Sequence, residues 1–125
     1  MQKLTHIINL KLHDNTAPPK ITVQQGDTER ILEIHLWDGL NPYKISPGCT
    51  AVLSAKKPDK TTLYNHCDIR NNVIYYDFTP DTTSCPGTIS TEIRIIGSES
   101  CILTSAAFFI EVFSTAFTSQ DAAKS

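Results

Sequence analysis

The sequence of residues 88–96 is Thr-Ile-Ser-Thr-Glu-Ile-Arg-Ile-Ile, and its side chains alternate in character. Successive side chains of a β-strand point to opposite faces. Three isoleucines and Thr91 therefore share one face, while Ser90, Glu92 and Arg94 lie on the other. This period of two predicts the clearest strand of the chain, with one buried face.

The same alternation recurs along the chain, and helical periodicity does not. The other predicted strands are residues 6–12, 20–25, 31–37, 50–56, 62–68, 73–78 and 101–113. Turn residues separate these strands at intervals typical of all-β domains. We therefore predict an all-β fold, an antiparallel β-sandwich (immunoglobulin-like or jelly-roll-like) of about seven or eight short strands.

Three local features refine this prediction. Residues 79–84 are expected to form one helical turn, with Thr79 as N-cap and Pro80 at the first helical position. The last strand is long enough to need a bulge, placed near Ala106 and Ala107. Residues 1–113 are predicted to be the β-sandwich domain. The pattern ends after Phe113, so residues 114–125 are expected to be a flexible tail or the start of a truncated linker.

Composition excludes several classes of function. The chain has 125 residues, 40% hydrophobic and 19% charged, with a net charge of −2. Nucleic-acid binding and polybasic membrane attachment both need clustered lysine and arginine, and no such cluster is present. No apolar stretch approaches the length of a membrane span, and the first residues lack a signal-peptide pattern. The expectation is synthesis in a cytoplasm.

The four cysteines are Cys49, Cys67, Cys85 and Cys101, at spacings of 16 to 18 residues. Zinc and redox motifs place cysteines two to four residues apart, so neither is predicted. An even number allows two disulfides. Without an export signal, reduced and mostly buried thiols are favoured.

The spacing of the potential catalytic and metal-binding residues does not match that of known sites. His66 and Cys67 are the only adjacent pair of soft ligands, and neighbours on a strand point to opposite faces. No Gly-x-Ser-x-Gly elbow or glycine-rich phosphate loop is present. The scattered carboxylates are typical of surface charge. The sequence therefore predicts no enzyme, no metal and no cofactor.

The aromatic residues leave two hypotheses open. Trp37, Tyr75 and Tyr76 are candidates for contact with a partner protein, since exposed Tyr and Trp are enriched at interfaces. The same three side chains are candidates for stacking against sugar rings. The alternative for Tyr75 and Tyr76 is structural, because neighbours on one strand put one ring in the core and the other outside.

The order of several motifs resembles a known family. Residues 25–27 (Gln-Gly-Asp) precede a long alternating strand, residues 55–59 (Ala-Lys-Lys-Pro-Asp) form a turn, and residues 105–112 (Ser-Ala-Ala-Phe-Phe-Ile-Glu-Val) end the pattern. Together they resemble the N-terminal domain of the tailed-phage baseplate upper protein family, found in phages and prophages of Gram-positive hosts. The resemblance covers about residues 3–113. It departs from the family pattern around residues 41–47 and before Pro86.

The resemblance implies a virion structural protein of the tail baseplate. Such a module attaches receptor-binding parts to the central tail hub through protein–protein contacts and is expected to form trimers or higher oligomers. Its partners would be other baseplate or distal-tail proteins, and it has no catalytic residues to transfer. The alternative function is a carbohydrate-binding β-sandwich that recognises cell-wall glycans of the host.

Overall fold

The computed structural model describes residues 3–13, 17–98, 100–105 and 107–114, with Cys101 described only in its backbone. This part of the chain contains ten strands and no helix that could span a membrane. The strands are β1 (Leu4–Lys11), β2 (Lys20–Gln24), β3 (Arg30–Asp38), β4 (Asn41–Pro42), β5 (Thr50–Lys56), β6 (Thr62–Arg70), β7 (Val73–Asp77), β8 (Gly87–Ile96), β9 (Cys101–Thr104) and β10 (Phe108–Phe113).

The all-β prediction is confirmed, whereas the predicted sandwich and the count of seven or eight strands are not, because the ten strands form one continuous sheet. Two of the ten strands come from dividing the predicted strand 101–113 into β9 and β10. Both pair with β8, and Ser105 occupies the gap between them. Its N–H donates to the Ile93 carbonyl at 2.8 Å, and its hydroxyl accepts from the Ile93 N–H at 2.9 Å. The other additional strand, β4, is a two-residue pairing with the end of β3.

The strands follow one hydrogen-bonded path, β1-β3-β7-β6-β5-β8-β10-β2, with β4 and β9 beside it. The first residues of β6 pair with β5, and its last residues pair with β7. This strand links the two halves into one nearly closed, barrel-like sheet around a single core. A strand that changes partners in this way forms a corner of the sheet.

Two pairings correct the expectation of a purely antiparallel sheet. β1 runs parallel to β3, and β10 runs parallel to β2. Hairpins produce antiparallel neighbours, whereas a chain that leaves for another part of the sheet can return in the same direction. The chain leaves β1 for β2 at the far end of the path and then returns to β3. Alternation within a strand fixes its buried face and carries no information on direction.

The predicted faces of the strands are confirmed. Leu32, Ile34 and Leu36 of β3 are all buried, as are Ile89, Ile93 and Ile95 of β8. Side chains from both end strands, such as Ile8 of β1 and Val23 of β2, belong to the same core cluster. At about 1.5–3 kcal/mol for each fully buried aliphatic side chain, this core is the main stabilising element of the domain.

Two turn regions flank strand β7. Asn71 and Asn72 connect β6 to β7 with φ values of 51° and 66°, the conformation of a two-residue type I′ hairpin turn. Residues 79–84 form consecutive turns, with the Thr82 N–H donating to the Thr79 carbonyl at 3.0 Å. The predicted boundary at residue 113 stays a prediction, because residues 115–125 lie outside the described residues.

Candidate functional site

Strands β1, β3 and β7 lie side by side and turn one face away from the core. We call it the outer face. The register aligns Ile7 with Glu33 and Glu33 with Tyr75, so these three side chains form a row across the strands. The outer face carries Ile7, Asn9, Glu33, His35, Trp37, Val73 and Tyr75.

Trp37 is half-buried near the end of β3. Its indole Nε1–H donates to the side-chain oxygen of Asn9 on β1 at 2.9 Å, which fixes the orientation of the ring. Trp37 and Pro42 line a shallow pocket of about 200 Å³, whose other lining residues are His35, Leu36, Asn71, Asn72 and Val73. The ring therefore contributes apolar surface at a fixed orientation beside polar groups of the hairpin turn.

Tyr75 lies on the same outer face as Trp37 and is half-buried. The guanidinium of Arg70 lies 4.1 Å from the centre of the Tyr75 ring, a cation–π contact. This contact covers one face of the ring. The structure thus brings two of the three predicted contact residues to one surface, where Tyr75 is stacked with a cation.

Tyr76 is not a surface residue, which corrects its prediction as a contact. Its side chain is 1% exposed and packs at a tilt against Phe78, with ring centres 5.8 Å apart. Its hydroxyl donates to the side-chain oxygen of Asn65 at 3.0 Å and lies 2.8 Å from the hydroxyl of Thr82. Burial raises the pKa of Tyr76. Side chains alternate along β7, so Tyr76 lies in the core and Tyr75 faces outward.

The polar pairs of the described residues do not form a metal site. His35 and Glu33 lie together on the outer face, with Nε2 and Oε2 2.8 Å apart. No group of three or more His, Cys, Asp or Glu side chains converges within the described ranges. Cys49, Cys67 and Cys85 are free thiols and half-buried, less buried than the sequence suggested. Burial raises the pKa of Cys67 to about 12, so this thiol stays protonated at neutral pH.

Sequence reasoning missed the most exposed apolar residues of this region. Leu4 and Ile7 of β1 are 60% and 64% exposed, and Leu40 in the β3–β4 turn is 95% exposed. The signal for Ile7 was present in the sequence, because the alternation that buries Ile8 and Leu10 places Ile7 on the opposite face. An isoleucine on the solvent face of a strand at the edge of a sheet indicates a contact surface.

The Ala-Lys-Lys-Pro-Asp motif has a structural explanation. Lys57 is 3% exposed, and its ammonium donates to Asp81 Oδ1 at 2.8 Å and to the Ser84 hydroxyl at 2.7 Å. These bonds connect the β5–β6 hairpin to the turns at 79–84. Pro58 packs so close to Gly87 that a Cβ atom there would lie 2.7 Å from the proline ring. Only glycine is accommodated at this position, where φ is +124°.

The arrangement is suited to contact rather than to bond chemistry. The outer face is partly apolar and is bordered by the charged pair of Lys3 and Asp77, whose atoms are 3.2 Å apart. Ile7, Trp37 and Tyr75 supply the apolar and aromatic area that is typical of protein interfaces. The pocket beside Trp37 is a concave feature of this face and contains a predicted contact residue.

Comparisons with known proteins agree with this structure. No curated protein sequence matches the chain. Among solved structures, the N-terminal domain of ORF48 of phage TP901-1 is similar in fold, with a TM-score of 0.68 and 13% sequence identity. The similarity covers 88% of this chain and 98% of that domain. The sequence model of the BppU N-terminal domain matches residues 4–125. The chain therefore belongs to the baseplate upper protein N-terminal domain family, whose members are structural components of phage baseplates.

Proposed function

We propose that this protein is a docking module of the phage tail baseplate. It attaches receptor-binding parts to the central tail hub through protein–protein contacts, and it works as a trimer or a higher oligomer. Its place would be the virion, after synthesis in the cytoplasm of the bacterial host. The observation that carries this proposal is the family match over residues 4–125.

The surface of the domain supports a docking role. Exposed Ile7 and the half-buried Trp37 and Tyr75 lie on the outer face of β1, β3 and β7, which gives this sheet a partly apolar patch. Polar groups bordering such a patch are typical of specific interfaces, which bury roughly 800 Å² per partner. The rigid sheet supports the patch without a cost for ordering loops on binding.

Co-expression tests the docking proposal. The full chain is produced together with the distal-tail hub protein encoded beside it, and the mixture is separated by size with light-scattering detection. The expected result is a complex that contains several copies of this chain. A chain that remains strictly monomeric and elutes apart from the hub would count against the proposal.

A second candidate function is recognition of cell-wall glycans, which the pocket beside Trp37 favours. The aromatic ring and the neighbouring Asn71 amide offer the stacking surface and hydrogen-bonding group that a sugar ring uses. Tyr75 is a weaker candidate because Arg70 stacks on it, and Tyr76 is excluded by burial. Tyr64 is an exposed tyrosine of β6 that does not line this pocket. Binding to purified wall polysaccharide that is abolished by Trp37→Ala and kept by Tyr64→Ala would favour this function.

A further inference from the structure

Strand β1 lies at one end of the sheet path, and its only strand partner among the described residues is β3. The Leu4 N–H donates to the Glu29 carbonyl and the Leu12 N–H donates to the Trp37 carbonyl, each at 3.0 Å. In a parallel pair, a residue directs its N–H and C=O to the same neighbour, and alternate residues do so. The even-numbered residues of β1 therefore bond to β3. Thr5, Ile7 and Asn9 direct their backbone groups away from the sheet.

The middle of this edge lacks the features that usually prevent strand pairing, and the two lysines that could discourage it, Lys3 and Lys11, lie at its ends. Such features include proline, a bulge, a short strand or an inward-pointing charge. β1 is eight residues long, continuous in register and free of proline, and its middle carries the exposed Ile7. The strand at the other end of the path differs, because β2 has only five residues and follows Pro18 and Pro19.

Charge indicates what kind of strand the free edge accepts. Residues 3–13 contain two lysines and two histidines and no carboxylate. Lys3 and Lys11 border the open stretch at its two ends. Opposite charges that face each other across paired strands are stabilising, and like charges are destabilising. A partner strand with a carboxylate near each end matches this pattern in either direction.

A second copy of the chain matches the same pattern poorly. In the symmetric antiparallel register centred on Ile7, Lys3 of one copy lies opposite Lys11 of the other, and this repulsion occurs twice. Lys3 already pairs with the exposed Asp77. Because an exposed pair contributes only about 0–1 kcal/mol, Lys3 can exchange this partner for an incoming carboxylate.

We propose that the free edge of β1 pairs with a β-strand of a partner protein. That strand carries a carboxylate near each end and an apolar side chain facing Ile7. Main-chain hydrogen bonds to Thr5, Ile7 and Asn9 supply affinity, and the flanking charges supply specificity. The inference rests on the proposed docking function for the existence of such a partner.

Hydrogen exchange of the full chain, followed by nuclear magnetic resonance, tests this inference. The probe is a capped nine-residue peptide, Asp-Thr-Val-Thr-Val-Thr-Val-Thr-Asp, which sets a valine opposite Ile7 and an aspartate opposite each lysine. The control peptide has lysine in place of both aspartates. With the acidic peptide, the amides of Thr5, Ile7 and Asn9 are expected to exchange about tenfold more slowly, because they become paired. The basic peptide is expected to leave them unchanged.

A matched pair of variants locates the binding to the edge. Ile7→Glu sets a carboxylate against the acidic peptide at an exposed position, so protection of the three amides should be lost. Leu40→Glu makes the same change at a position that is 95% exposed in the β3–β4 turn, and it should retain protection. Equal protection by both peptides, or in both variants, would overturn the inference.

Two further results would also overturn it. If the three amides are already protected in the isolated monomer, a segment of this chain occupies the edge. If their protection rises with protein concentration, a second copy occupies it. Failure here is distinguishable from failure of the docking function. An Ile7→Glu chain that still joins the hub complex normally would refute the role of the edge and leave docking intact.

Discussion

Histidine 6 belongs to a polar cluster that joins three parts of the chain. Its Nε2 accepts from Arg30 Nη1 at 2.9 Å, and Arg30 Nη2 donates to Asp27 Oδ2 at 2.8 Å. The Thr83 hydroxyl donates to the Asp27 carbonyl at 2.8 Å, which connects the turns at 79–84 to the same cluster. Because His6 accepts from a permanent cation, the folded state favours its neutral form. Burial, and then the charge of Arg30, lower the pKa of His6 below 6.5.

This lowered pKa predicts loss of stability on acidification. As pH falls through about 6.5, the unfolded chain takes up a proton at His6 before the folded chain does, so the free energy of unfolding decreases. The contribution is fully present above that pH. Replacement by His6→Gln keeps an acceptor for Arg30 and removes the titration. As the pH is lowered from about 7.5 to about 5, the melting temperature should fall less steeply for the variant than for the unchanged protein. Parallel curves of melting temperature against pH would contradict the role assigned to His6.

Substitution of two exposed aspartates, each paired with a lysine, tests how burial of the lysine affects the stability of the fold. Asp81 pairs with Lys57, whose side chain is 2% exposed, and Asp77 pairs with Lys3, whose side chain is 39% exposed. Asp81→Ala leaves a buried ammonium with only the Ser84 hydroxyl, and we expect a loss of about 2–3 kcal/mol in urea unfolding. Asp77→Ala should cost less than about 1 kcal/mol. Equal effects of the two changes would show that burial of Lys57 contributes nothing.

At the scale of elements, the β6–β7 hairpin organises the pocket beside Trp37. The Asn72 side-chain oxygen accepts from the Ile45 N–H at 2.8 Å, and its amide donates to the Tyr43 carbonyl at 2.8 Å. The hairpin turn thereby anchors the segment that follows β4. Asn71 has the same left-handed backbone and makes no such side-chain bond within the described ranges.

A pair of glycine substitutions separates the two roles of this turn. Glycine accepts the positive φ at both positions, so backbone strain is not introduced. Asn72→Gly removes two hydrogen bonds and should lower the free energy of unfolding by about 1–2 kcal/mol. Asn71→Gly should change it by less than about 0.5 kcal/mol. Chemical denaturation measures both, and a larger effect at Asn71 would contradict the anchoring role of Asn72.

The elements could be predicted to different degrees. Strand β5 has the predicted bounds, and the buried face of β8 is as expected, because period-two alternation is a local property of the sequence. The length of the predicted strand 101–113 indicated an irregularity near Ala106 and Ala107. The two hydrogen bonds between Ser105 and Ile93, twelve residues away, depend on the fold and could not be predicted from a local pattern. The strand pattern allowed only one of Tyr75 and Tyr76 to face outward, and the burial of Tyr76 decides between them.

At the scale of the whole molecule, the relative directions of paired strands and the near closure of the sheet could not be predicted from the sequence. Each strand alternates in the same way whether its neighbour is parallel or antiparallel, so the β1–β3 and β10–β2 pairs were beyond the sequence. The baseplate assignment came from the order of the motifs over the whole chain, and the family match confirms it. The open edge of β1 became visible only when the path of the sheet was known.

The baseplate role is tested most directly on virions of the phage or prophage that encodes this chain. Cryo-electron microscopy of tails from gradient-purified particles is compared with particles in which the gene is deleted. The account predicts several copies of the ten-stranded domain around the tail tip, and loss of the receptor-binding parts together with this density in the deletion. Complete baseplates without the chain, in either sample, would contradict it.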